Sequence, residues 1–415
     1  MKKTPVIISA YTCCPNRGSE PGNGWNWIMN YRKNENRVVV LTSNKYKAEI
    51  LAQQIDPEEV NFIFLDTPLS LRSLKIPVVG LYFHYFFWLY YGRKYLNQHI
   101  SAINPSHCHH ITYSSIKFGS PLYNLNWPII LGPLGGASKP HPSLQKYFGK
   151  YWYGELIKDV VTKLFVWLNP TIGKTVNSAS HILVSNNETN TFLARYKPKS
   201  TSEMFDAGLS DTFKIEYPAR TLNTEEIKVL WVGRMLSRKG LNLAIDAFYE
   251  LTKLNVGKFR LTIIGDGALM SKSKEQVQAY GLKDSVDFLG SLSHQSLVTH
   301  YITSHVFLFP SLKDSCPMQV FEAMSTGLPV VSLNHQGMMD QIVKDTGIKV
   351  NVGDGIDYAM ELAFAIKTLT KNKDEYKRKS KAAYDHGQKQ IWSTRIKHFF
   401  DNVLPHILTE ARTTQ

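Results

Sequence analysis

His305-Val306-Phe307-Leu308-Phe309 runs into Pro310-Ser311-Leu312-Lys313-Asp314-Ser315-Cys316-Pro317, then into the helical stretch 318–324, and then through Ser325-Thr326-Gly327-Leu328 to Pro329-Val330-Val331-Ser332. An apolar run of strand length, a polar loop, a helix and a second apolar run make one β-α-β unit. Both runs are continuous rather than alternating, as parallel strands covered on both faces must be. Further runs of this kind lie upstream at 228–232, 259–264 and 286–289. A first series precedes them at 6–10, 37–42, 60–65, 107–112, 128–131 and 181–184, with helical stretches between. Two such series imply an α/β chain with two doubly wound, Rossmann-like domains. The expected boundaries are 1–210 for the first domain, 211–226 for a polar linker and 227–390 for the second domain, with 391–415 beyond it. Gly208-Leu209-Ser210-Asp211 reads as the hinge.

The 415 residues suit two or three domains, and 43% apolar with 20% charged content excludes disordered and collagen-like classes. Four cysteines without a C-x-x-C pair give neither a disulfide framework nor a structural zinc site, so reduced, cytoplasmic chemistry is expected. The net charge of +14 is uneven: residues 1–215 hold 23 Lys and Arg against 13 Asp and Glu. Such a first half suits an anionic partner. Nucleic acid is not expected, since no recognition module or basic helix with interleaved aromatics appears. The aromatic stretch 76–91 (IPVVGLYFHYFFWLYY) has 16 residues, short of the roughly 20 needed to span a bilayer. It reads as a buried helix, with an interfacial helix as the alternative.

Ligands of doubly wound sheets sit at the carboxyl ends of the strands, so the residues following each strand carry the chemistry. After the first strand come Glu20, Gly22 and Gly24 in Gly18-Ser19-Glu20-Pro21-Gly22-Asn23-Gly24-Trp25, with a helix expected to start near Gly24. These glycines permit close backbone approach, and a helix start there aims free N–H groups at an anion. His109 and His110 close the fourth strand; alternation along a strand turns only one of them to a ligand, His109 being preferred. In the second domain, Gly233-Arg234-Met235-Leu236-Ser237-Arg238-Lys239-Gly240 places Arg234 and Lys239 where they can neutralise a diphosphate. Asp314 and Glu322 stand eight positions apart and suit sugar or ribose hydroxyls, while N–H groups at Ser315, Cys316 and Met318 suit ligand oxygens. No two aspartates lie two apart, so no D-x-D motif is available for a metal–diphosphate, and neither metal nor cofactor is expected.

The Gly-Arg…Lys-Gly turn at 233–240, Ile264-Gly265-Asp266-Gly267 and the acid-x7-acid motif at 314–322 resemble retaining, nucleotide-sugar-dependent glycosyltransferases of family 4, which have the two-Rossmann GT-B fold. The stretches at 18–25, His109-His110-Ile111-Thr112 and Gly132-Pro133-Leu134-Gly135-Gly136 resemble a subset of that family. The resemblance implies that the two domains face a cleft, that 391–415 form a C-terminal helix returning to the first domain, that Arg234 and Lys239 bind the donor diphosphate, that Asp314 contacts the donor sugar, that Glu322 holds the ribose, and that the anomeric configuration is retained. Asp at 314 in place of the commoner Glu, and Pro317 in place of Gly, depart from the pattern and leave the donor sugar open.

The resulting expectation is transfer from a nucleotide-sugar donor to a glycan or lipid-linked acceptor in bacterial surface polysaccharide biosynthesis. The acceptor would bind the basic first domain near Glu20, at the inner face of an anionic membrane. The alternatives are a nucleotide-sugar epimerase of the same fold, which would need no acceptor, and a non-catalytic partner subunit, which would bind nucleotide weakly.

Overall fold

In the computed structural model, which describes residues 4–413 apart from 18, 35–36, 67–78, 114, 116 and 223–224, the strands form two sheets with every pairing parallel. The first sheet comprises β1 (Val6–Ala10), β2 (Val38–Ser43), β3 (Val60–Leu65), β4 (Cys108–Thr112), β5 (Ile129–Leu134), β6 (His181–Val184) and β7 (Thr201–Glu203). The second comprises β8 (Glu226–Val232), β9 (Lys258–Ile264), β10 (Val286–Gly290), β11 (Val306–Phe309), β12 (Val330–Asn334) and β13 (Gly347–Asn351). Their orders are β3-β2-β1-β4-β5-β6-β7 and β10-β9-β8-β11-β12-β13. In each sheet the order reverses beside the first strand, between β1 and β4 and between β8 and β11. That switch point opens a crevice at the carboxyl ends of the strands.

The sequence pattern explains these strands. Every residue of β1 and of β11 is buried, as strands covered by helices on both faces require. Helix Leu241–Lys253 turns Leu243, Ala244, Phe248 and Leu251 inward against β8, β9 and β11. Each large apolar side chain so buried contributes about 1.5–3 kcal/mol. β7 and β13 escape a reading by hydrophobic runs, since Thr-Ser-Glu and Gly-Ile-Lys-Val-Asn carry too few apolar residues.

The chain divides into two compact units, residues 1–137, 161–207 and 396–415 in one and 138–160 with 208–395 in the other. The second unit thus takes a segment from within the expected first domain, and the return to the first unit comes at 396 rather than 391. The described residues of the expected hinge and linker belong to the second unit. Leu209 exchanges backbone hydrogen bonds with Gln390 and Trp392, both 2.9 Å, and Gly208 packs against the Trp392 indole. Arg220, in the expected linker, is buried. Its guanidinium donates to the carbonyls of Tyr301 at 2.6 Å and Thr326 at 2.9 Å, and to that of Ser304. These are terminal carbonyls of helices His294–Thr303 and Met318–Ser325, which lack intrahelical partners.

Of the aromatic stretch 76–91, residues 76–78 lie outside the described residues, and the rest belongs to helix Val79–Ile103. Tyr85 and Trp88 are fully buried and meet Tyr11 edge-on, with ring centroids 5.0 and 5.3 Å away. The helix is a core element on that face.

Replacing Arg220 by Leu leaves several buried carbonyls unpaired. The expected cost is about 2–3 kcal/mol, read as a lower urea midpoint; an unchanged midpoint would show that water replaces the guanidinium freely.

Candidate active site

The second unit brings the predicted donor residues to its switch point. Gly233 to Gly240 follow β8, and residues 310–317 follow β11. The turn ends at Gly240 with φ +67°, where a Cβ would stand 2.0 Å from the Pro310 carbonyl oxygen. Only glycine lets the two loops approach so closely. The Met235 N–H donates to the Asp266 carbonyl at 2.8 Å, which ties the turn to the end of β9.

Between these loops the Lys239 ammonium pairs with Asp314 Oδ2, and Arg238 Nη1 lies 3.6 Å from Oδ1. Ser311 Oγ donates to Asp314 Oδ2 at 3.4 Å, and Gln336 Oε1 accepts from the Asp314 N–H at 2.8 Å. Only 7% of the Lys239 side chain and 12% of that of Asp314 is exposed. Burial lowers the Lys239 pKa, and the Asp314 carboxylate opposes the shift. Glu322 accepts from the Tyr301 hydroxyl at 2.8 Å. Burial raises its pKa, against the hydrogen bond from Tyr301 and the charge of Lys239. Lys239, Asp314 and Glu322 therefore form one electrostatic group. Arg234 is exposed on the same turn. Cys316 Sγ accepts from Gln341 Nε2 at 3.2 Å, and Met318 opens helix Met318–Ser325 behind Pro317. The departure at 317 therefore coincides with the N-cap, a position that leaves a missing N–H without consequence for the helix.

The first unit departs from expectation at its histidines. His109 is fully buried, with Nε2 2.8 Å from the Gly132 carbonyl and Nδ1 2.8 Å from the Tyr31 hydroxyl. A carbonyl only accepts, so Nε2 carries the proton, Tyr31 donates to Nδ1, and no ring nitrogen is left for a ligand. Phe399 stacks on the ring and Trp27 meets it edge-on. His110 is also buried, with Ser9 Oγ 2.9 Å from Nδ1 and the Tyr85 hydroxyl 3.3 Å from Nε2. Burial holds both rings neutral, with pKa values lowered to about 3. Neither histidine turns a free ring nitrogen to a ligand, against the expectation for His109; both are packing residues.

The helix expected near Gly24 spans Ser19–Asn34, with Gly22 and Gly24 inside it. A Cβ on Gly22 would stand 1.9 Å from the Arg17 carbonyl oxygen, and one on Gly24 2.5 Å from that of Thr12. These glycines bring the helix onto the strand ends rather than a ligand onto the loop. Gly18 lies outside the described residues. Glu20 is placed as a titratable group. Its carboxylate accepts from the Tyr113 N–H, yet burial, reinforced by the nearby Asp206, raises its pKa to about 7. Tyr113 sits at φ +50°, a strained conformation for an aromatic residue, just past β4.

Sequence reasoning missed Tyr301, Gln336, Lys313 and Glu155. Gln336 was within reach, because Asn334-His335-Gln336-Gly337 follows β12 as another carboxyl-end loop. Lys313 Nζ bonds Glu155 Oε2 at 2.6 Å, a partner 158 residues away that no local pattern announces.

Residues 213–386 match the family model described as glycosyl transferases group 1. The amylovoran biosynthesis glycosyltransferase AmsK of Erwinia amylovora is 33% identical over 124 residues, covering 28% of this chain and 30% of that protein. The matches span about a third of the length of AmsK and of other curated relatives. Among solved structures, the lipopolysaccharide outer core galactosyltransferase WaaB superposes with TM-score 0.66 at 14% identity, over 97% of this chain and 99% of that one. HepE of Anabaena, solved in complex with UDP, gives 0.62 at 14% identity over 97% and 100%. At such identities the likeness is one of fold.

A carboxyl whose folded pKa is raised binds its proton more tightly in the folded chain, so its contribution to stability falls as pH climbs from 4.5 to about 7. Glu20→Gln, neutral throughout, should therefore gain in urea midpoint over the wild type between about pH 5 and about pH 8. A difference that does not change with pH would show that Glu20 titrates normally.

Proposed function

We propose that this chain, whose residues 213–386 match the glycosyl transferases group 1 model, transfers a sugar from a nucleoside diphosphate sugar to a glycan or lipid-linked acceptor. The reading carries retention of configuration and a place in surface polysaccharide assembly, at the cytoplasmic face of an anionic membrane. The observation that carries it is the Lys239–Asp314 pair, held between the two loops of the switch point with Glu322 in the same electrostatic group.

The chemistry follows from charge. As the bond from the anomeric carbon to the β-phosphate oxygen breaks, negative charge grows on the diphosphate and positive charge on the sugar ring. Lys239 and the exposed Arg234 neutralise the diphosphate, and their preset positions lower the barrier because little reorganisation is left to do. Glu322, kept in place by Tyr301, accepts from ribose hydroxyls. Asp314 holds Lys239 and faces the donor sugar. The acceptor hydroxyl forms the new bond on the face the diphosphate leaves, and its proton passes to the departing phosphate oxygen. HepE binds UDP and WaaB is named a galactosyltransferase; both favour a nucleoside diphosphate hexose as donor, with uridine the first base to try.

The experiment is a thermal-shift panel with UDP, GDP, ADP and CMP. One diphosphate should stand out, since a ligand at 100 times its Kd stabilises by about 2.7 kcal/mol. The shift should fall by about half in Lys239→Ala, as a tenfold loss of affinity implies, and shrink in Glu322→Ala. A panel in which no nucleotide shifts the protein, or in which Lys239→Ala shifts as the wild type does, would overturn the assignment. Conversion of the sugar nucleotide with no acceptor present would point instead to an epimerase.

A further inference from the structure

Helix Trp152–Leu168 carries an apolar face turned to solvent. Tyr153, Ile157, Val160, Val161, Leu164 and Trp167 are each between 54 and 79% exposed. With 3.6 residues per turn, the spacing 153, 157, 160, 161, 164, 167 gathers them into one stripe about 120° wide. Helices of soluble proteins turn such a stripe inward. Here the inward side is taken by Trp152 and Glu155, both buried, and Glu155 is fastened to Lys313 at 2.6 Å.

The surroundings of the stripe are basic. Lys146, Lys150, Lys158 and Lys163 are all exposed, Lys158 reaching Glu155 Oε1 at 2.8 Å, whereas Glu155 is buried and Asp159 half-buried. Lys158 and Lys163 fall on opposite flanks of the stripe by their positions on the helix. A second copy of this chain on the same face would set these lysine rims against each other, since a two-fold interface pairs each patch with itself. An anionic lipid surface meets both demands: acyl chains take the apolar stripe, the lysine stems snorkel, and their ammonium groups reach headgroup phosphates. Trp167 and Tyr153, near the two ends, are residue types favoured at the depth of the headgroups. Among the described residues no helix is long and apolar enough to cross a membrane, so this helix would lie in the surface.

We propose that helix Trp152–Leu168 is the element by which the protein lies on anionic membranes. The inference rests on the peripheral location in the proposed function and moves that contact away from the aromatic stretch 76–91, whose Tyr85 and Trp88 are spent in the core. It has a consequence for the donor turn. Lys150, Glu155 and Lys158 line one open recess of ≈ 820 Å³ with Ser237 and Arg238. A membrane held against the outer face of the helix therefore lies one helix diameter, about 10 Å, from the diphosphate-binding turn, where a lipid-linked acceptor can be met.

The test is co-sedimentation of the full chain with phosphatidylglycerol–phosphatidylcholine vesicles and with phosphatidylcholine vesicles alone. Alongside the wild type stand Val160→Glu/Leu164→Glu and Trp167→Phe. Expected are binding to the anionic vesicles that weakens with salt, and a loss of about tenfold or more in the double variant. The double variant should keep the wild-type nucleotide shift, which reports a folded second unit. Trp167→Phe should remove a blue shift of tryptophan emission seen on anionic vesicles. If the wild type binds and the double variant binds equally, the helix is not the contact and the inference falls while a peripheral location stands. If the wild type binds neither vesicle, both fall. A wild-type dimer that the double variant dissolves, with no vesicle binding, would make the face an interface between copies and overturn the proposal.

Discussion

A buried ion pair between two loops organises the second unit. Lys239 has little access to water, and a lone ammonium there would be costly. Asp314 makes it tolerable and fixes where it points. The pair in turn requires that the turn after β8 and the loop after β11 nearly touch, which Gly240 permits by leaving its Cβ position to the Pro310 carbonyl. Ser311, Arg238 and Gln336 then hold the carboxylate and its backbone. Removing either charge would strand the other, so the pair is better seen as a positioning device than as a source of stability. Under the proposed function, a diphosphate arriving here would meet a cation that is already oriented and largely shielded from water.

Both sheets reverse their strand order beside the first strand, and in each a buried ionisable group with a shifted pKa stands by the loops where the order reverses. In the first unit this is Glu20, under the strained Tyr113; in the second it is Lys239 and Glu322. Perturbed ionisation at a strand's carboxyl end is what a site for charged ligands needs. The histidines of β4 show the opposite use of polarity. Each has its ring nitrogens occupied within the core and is neutral near physiological pH, and what it contributes is a satisfied buried hydrogen bond.

The fold class was legible because parallel strands buried on both faces leave continuous apolar runs, and such runs appear at 228–232 and 305–309 with helical stretches between. β7 and β13 were not legible, since edge strands need fewer apolar residues. The grouping of Lys239, Asp314 and Glu322 was legible because spacing within one loop or one helical stretch survives in sequence. His109 was misread because its neighbours Tyr31, Gly132 and Phe399 come from distant parts of the chain, and only they show that the ring is enclosed. The same applies to Glu155 and Lys313. The stripe on helix Trp152–Leu168 was hidden for another reason: an amphipathic pattern predicts a helix, while the face it turns to solvent is known only once the packing is.

The central claim is that Lys239, held by Asp314, receives the β-phosphate of a nucleoside diphosphate. Titration calorimetry of the wild type and Lys239→Met with the cognate nucleoside diphosphate and its monophosphate tests this directly. The account predicts that the wild type prefers the diphosphate by about tenfold or more, the yield of one charge-assisted hydrogen bond. Lys239→Met should lose most of that preference, Arg234 keeping what is left, with the monophosphate affinity little changed. A variant that keeps the full preference for the diphosphate would contradict the account, because the β-phosphate would then be held by other residues.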